Sequence, residues 1–364
     1  MEFKICLTCS SQRILFLMNK NIFYINETAK KKNLNLNNLE NFDNKKIGLI
    51  LSNNQFVLMK HWIKFQQEWV SNIYSKFKDH DKYIILMYLI SKTWQDNSKL
   101  FKFNSINEYY SQSEINLPNI SLSEVSKNLK IPKETIRRKL IELEKENIIK
   151  RDGQKIILAQ LALSLQKPET SIKTLSIFFE KLSILLSAQD WFGPAISRED
   201  IELYFNKYYT IFWNQFFNMQ IPFLLRWKTV FGDLETWVIW ANMGINQTSN
   251  LEKILKNSKK KFNLSEINAG ELYIDNIREN EPKQGVNASS IADISGIPRA
   301  TVIRKLKKLL KEKTIRRNEK LEYVLSKEGK LNEKIKVNYL INQQSISLFV
   351  TDIFNLIKKS PLKI

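Results

Sequence analysis

Ile131-Pro132-Lys133-Glu134-Thr135-Ile136-Arg137-Arg138-Lys139-Leu140 returns 166 residues later as Ile297-Pro298-Arg299-Ala300-Thr301-Val302-Ile303-Arg304-Lys305-Leu306. At the same spacing Leu143 meets Leu309, Glu146 meets Glu312, Ile149 meets Ile315 and Arg151 meets Arg317, with no gap. Ile136, Leu140 and Leu143 stand at i, i+4 and i+7, the spacing of a helix with one apolar face. The other face carries Lys133, Thr135, Arg137 and Arg138. A short basic helix present twice in one chain points to two nucleic-acid-reading units.

The residues around the motif specify its neighbours. Ser121-Leu122-Ser123-Glu124 has the form of a capping box, and Leu122, Val125 and Leu129 give the following helix its apolar face. Lys130-Ile131-Pro132 is a tight turn, with proline beside the first helical position, where a missing amide hydrogen costs nothing. Asn147 sits where a left-handed cap is expected. Asp152-Gly153 then separates two apolar-rich runs, and both residues read as the turn of a hairpin. Helix, turn, helix and hairpin make a winged helix-turn-helix. In the second copy Ile294, Ile297, Val302, Leu306 and Leu309 hold the core, Ile303 stands in place of Arg137, Lys313 in place of Asn147, and Asn318-Glu319 in place of Asp-Gly. The second wing is expected to be the more irregular.

The repeat extends upstream. Trp62, Phe65, Trp69, Ile73 and Phe77 form a helical apolar stripe, and 154 residues later stand Phe216, Met219, Phe223, Trp227 and Phe231. The smaller offset places about a dozen extra residues of the second copy in the polar stretch 247–284. Apolar helices over about 170–186 and 345–357 close the halves. The expected fold is mainly α with small β wings, a tandem duplication of a helix, helix, winged helix, helix unit. The expected organisation is an extension and linker over 1–57, with a low-complexity stretch at 30–44 and a hairpin at 47–59. A first repeat follows over 58–188, with its winged helix at about 118–160. A second repeat spans 195–364, with its winged helix at about 285–326.

Bulk composition bounds the function. The chain has 364 residues and a formal charge of +20, which suits a polyanionic partner, although an AT-rich genome also enriches lysine. Clustering is the better guide. Residues 287–330 hold twelve basic and five acidic side chains, a balance of +7 on one short module. Two cysteines, Cys6 and Cys9, rule out a disulfide framework, and their C-x-x-C stands alone, so no metal and no cofactor is expected. Nine glycines without a phosphate loop, and only His61 and His80, argue against an enzyme. The longest apolar run, near 83–90, is far short of a membrane span, and no signal peptide is evident; a cytoplasmic, nucleoid-associated protein is expected.

The expected DNA-contacting residues are Lys133, Thr135, Arg137 and Arg138 on the first recognition helix, and Lys150, Arg151 and Lys155 on its wing. In the second copy they are Arg299, Thr301, Arg304, Lys308, Arg316 and Arg317. A helix fits the major groove with its first turn toward base edges, arginine can bond guanine or phosphate, and wing cations reach the adjoining backbone. The pattern Ile-Pro-x-x-Thr-(Ile/Val)-x-Arg-Lys-Leu resembles the winged helices of bacterial MarR-type and GntR-type transcription regulators. The likeness is close over about forty residues per copy. It departs in the long connections 91–120 and 247–284 and in placing two copies in one chain. The resemblance implies a sequence-specific regulator of double-stranded DNA, here a single-chain pseudo-dimer. The alternatives are a plasmid-type replication initiator and a winged-helix docking or chromosome-organisation module. Further partners are a second copy of the chain, as a homodimer, and a small apolar ligand held by the aromatic stretch 212–240, whose plainer reading is core packing.

Overall fold

Helix α1 (Asn44–Asn53) opens on Asp43, whose carboxylate accepts from the Lys45 amide at 2.8 Å, and it buries Ile47, Ile50 and Leu51. Asn54 separates it from α2 (Gln55–Phe77), which buries Leu58, Met59, Trp62, Phe65 and Trp69. The hairpin expected at 47–59 is not formed. Its apolar residues recur at three and four, and that spacing aligns them on one face of a helix. The folded body thus begins before residue 58. Left-handed Lys78 ends α2, and Asp79 then accepts from the amides of Asp81 and Lys82 at the start of α3 (His80–Lys99). This computed structural model describes residues 42–99, 104–152, 155–190, 193–257 and 285–359. Cys6, Cys9, most of the 30–44 linker and most of the 247–284 insertion lie outside the described residues.

Next come α4 (Ile106–Tyr110) and a strand with no place in the expected plan, β1 (Glu114–Leu117). Ser121 caps α5 (Leu122–Leu129) by accepting from the Glu124 amide at 3.1 Å. The Glu124 carboxylate does not complete the box; it accepts from the Tyr88 hydroxyl at 3.4 Å. Pro132 leads into α6 (Lys133–Lys145), which buries Ile136, Leu140 and Leu143. The wing is β2 (Ile149–Asp152) against β3 (Lys155–Ala159), and β1 pairs on the other side of β3 in a three-stranded antiparallel sheet. Asp152 pairs with Lys155, so Asp152 ends strand β2, where the Asp-Gly reading expected a turn residue. Gly153 and Gln154 lie outside the described residues. Then come α7 (Gln160–Gln166) and α8 (Glu169–Ser187).

The second half contains α9 (Arg198–Lys207), α10 (Tyr209–Phe231) and α11 (Leu234–Asn257). They are followed by α12 (Ala288–Ser295), α13 (Arg299–Lys311), β4 (Ile315–Arg317), β5 (Tyr323–Leu325) and α14 (Asn332–Lys359). Helices α9 to α11 begin 154 residues after α1 to α3, while α12 and α13 begin 166 after α5 and α6. The helix-ending left-handed residues follow the same offsets: Lys78 with Gly232, Lys130 with Gly296, Asn147 with Lys313. Glycine meets that backbone without a side-chain penalty, so Gly232 at φ 87° relieves a strain that Lys78 bears. The second wing is shorter and, as expected, irregular. The Asn318 side chain accepts from the Lys320 and Glu322 amides, and among the described residues a single bridge, Val286 to Tyr323, takes the place of β1 in the first half.

The halves pack reciprocally. Helix α3 lies on α10 and α11 on α2, while α8 spans α2 and α9 and α14 spans α10 and α1. At the centre Gln66 donates to Gln220 at 2.8 Å and Gln220 donates back at 2.7 Å. These two glutamines occupy the same place at the 154-residue offset, so each half meets the other as the other meets it. Next to Gln66 in the sequence, Phe65 joins Trp69 and Trp213 in edge-on and tilted ring contacts with Phe216.

Candidate nucleic-acid interface

Helices α6 and α13 both start on a proline that offers no side-chain cap. Their first-turn amides lack intrahelical acceptors, and such amides favour an anion. The faces turned outward differ sharply in charge. Helix α6 carries five basic and three acidic side chains; α13 carries six basic and none acidic.

On α6, Lys133 is exposed and Thr135 half-buried. Arg137 is exposed but held by Glu134 through two hydrogen bonds of 3.0 and 2.7 Å. That pairing keeps the Glu134 carboxyl below its ordinary range. Arg138, at 65% exposure, lies 3.8 Å from Glu142. On the wing, Lys150 and Lys155 point to solvent, whereas Arg151 pairs with Glu144. Three of the expected cations, Arg137, Arg138 and Arg151, thus each face a carboxylate of their own module.

On α13, Arg299 is exposed and donates to the Ser289 hydroxyl at 3.0 Å, and Thr301 is half-buried. Arg304 is exposed and makes no ion pair among the described residues. Lys308 has turned toward the helical body, donating to the Phe231 carbonyl at 3.1 Å at the end of α10. Arg316 is half-buried. Arg317 lies over the Tyr323 ring at 5.1 Å and bonds its hydroxyl at 3.1 Å. Lys307 and Lys311 are exposed and extend the stripe begun by Arg304, at i+3 and i+7. Helical spacing counted from Arg304 would have found both.

Another pair of motif lysines does different work. Lys139 is largely buried and its ammonium meets Asp79 at 2.7 Å and Glu142 at 2.8 Å. At the equivalent place Lys305, also buried, meets Asp233 at 2.6 Å. Asp79 and Asp233 each sit at the turn into the next helix, where Asp79 binds the amides of Asp81 and Lys82 and Asp233 that of Thr236. Burial pushes the Asp233 carboxyl up, but hydrogen bonds from Lys305 and Thr236 outweigh it and bring it down to about 2. The same contest leaves Asp79 below its ordinary range, with Lys139 as the main opposing partner. The lysine of the Arg-Lys-Leu motif thus fastens α6 and α13 to the helical body, while the arginine before it faces outward.

Compared with protein-family models, curated proteins and solved structures, the chain matches none. Among the described residues no helix is long and apolar enough to cross a membrane.

Proposed function

We propose that this chain binds double-stranded DNA through α6 and α13 and acts as a sequence-specific transcription regulator, a single-chain pseudo-dimer descended from a tandem duplication. The observation that carries the reading is the outward basic stripe of α13, formed by Arg304, Lys307 and Lys311 on a helix without an acidic residue. The shared offsets and reciprocal packing support the pseudo-dimer. The likeness to MarR-type and GntR-type winged helices supports the regulatory role. Because Ile303 stands where Arg137 does and the charges differ, the two half-sites should differ in sequence.

Selection of bound DNA from a random pool, followed by footprinting at two salt concentrations, tests this. The expected result is an imperfect palindrome with two protected major grooves about 34 Å apart. Affinity should fall steeply with salt. Protection of one half-site would remove the two-headed arrangement. Binding indifferent to salt and to Arg138 and Arg304 would leave protein docking as the role of these helices.

A further inference from the structure

Between α2, α10, α11 and α14, touching Leu325 at the end of β5, lies a largely apolar cavity of about 110 Å³. Its origin is legible in the repeat. At the 154-residue offset Ala241 stands where the other half has Met87, Gly244 where it has Ile90, and Thr248 where it has Trp94. Ile63 likewise stands against Phe217. In the equivalent place Trp94 stacks on Phe217 at 5.2 Å and fills the space. Smaller side chains at four matched positions therefore open one site per chain.

Other exchanges arm the cavity. Trp227 replaces Ile73, and Trp240 replaces Leu86. Both indole N–H groups are buried and make no hydrogen bond, and neither does the amide nitrogen of buried Asn342, which also lines the cavity. The Asn342 carbonyl oxygen is occupied by Arg226 at 2.8 and 2.6 Å, so only its donor is left over. Native interiors rarely leave buried donors unpaired, and each costs stability. Here three buried, unpaired donors belong to residues that line an apolar space.

We infer that this cavity is a binding site for a small, single-ring apolar compound bearing a carbonyl or carboxylate oxygen, which accepts from the Trp227, Trp240 and Asn342 donors. A void of this size is of the order of one that admits a benzene ring. The inference is independent of DNA binding.

The test titrates the full chain with acetophenone, benzoate and toluene, followed by calorimetry and tryptophan fluorescence. The expected result is saturable binding of one acetophenone or benzoate per chain, tighter than toluene by about three- to tenfold for each hydrogen bond gained. Ala241→Met with Gly244→Ile restores the side chains of the other half and should abolish binding while raising the melting temperature. Trp227→Phe with Trp240→Phe keeps the ring lining but removes both indole donors, and should erase the preference over toluene. No saturable binding of any probe overturns the inference, as does binding that survives the filled variant. If the filled variant fails to fold, the double Trp→Phe variant decides alone, and an unchanged preference refutes the site.

Discussion

Arg138 and Arg304 occupy the same place on α6 and α13, and both are exposed. Replacing either by alanine should cost about 1–3 kcal/mol of specific binding and relax base preference at one position, read by competition with mutated sites. Arg137→Ala should cost less, because in the free protein this guanidinium must first give up its two bonds to Glu134. Lys155→Ala should weaken all sequences alike and flatten the salt dependence. Loss of discrimination rather than affinity in Lys155→Ala would place the wing, not the helices, at the base edges.

At the scale of the element, each winged module depends on its buried face and on one ion pair. Ile136→Asp or Val302→Asp sets a charge into a fully buried position, so it should unfold that module and remove its backbone amides from exchange protection. The Lys139–Asp79 and Lys305–Asp233 pairs predict an acid response. Both carboxyls titrate lower when folded. Their stabilisation is therefore complete above the ordinary value of 3.8 and is lost as pH falls through the folded value, about 2 for Asp233. Lys139 titrates higher when folded, despite burial, because Asp79 and Glu142 hold its proton. Its contribution is complete below its ordinary value and is lost as pH rises past the folded one. Asp233→Asn should remove about 1–2 kcal/mol after allowance for solvent screening, and with it the acid step between about pH 4 and 2. Denaturation midpoints across that range that match the native protein would contradict the pairing.

For the whole molecule, a reciprocal glutamine pair lies among the contacts that join the two halves. Gln66→Leu alone strands the buried amide of Gln220 and should cost about 1–3 kcal/mol. Adding Gln220→Leu removes both partners and should recover most of that loss, as read from urea midpoints. Additive losses in the double variant would show that the pair is not mutual. Because α3 and α11 each lie on the long helix of the opposite half, separating the halves at about residue 190 exposes both cores at once. Each fragment should therefore fail to fold alone.

The chain's own pattern was enough for helices α6 and α13, their proline starts, the left-handed end at Asn147, and the placement of Arg138 and Arg304 on the outward face. These are local matters: helical periodicity and the conformational limits of proline act within a few residues. The paired offsets of 154 and 166 also lay in the sequence, and helix starts follow them. Strand β1 was invisible because four residues with two buried side chains carry little signal until β3 provides a partner. The hairpin reading of 47–59 failed because short apolar pieces suit either period, and packing on the other half selects the helix. Tertiary structure alone divided the cations into those held by Glu134, Glu144 or the α10 carboxyl end, those buried as fasteners, and those left to solvent. Charge is written in the sequence, but its partners are brought together only by the fold.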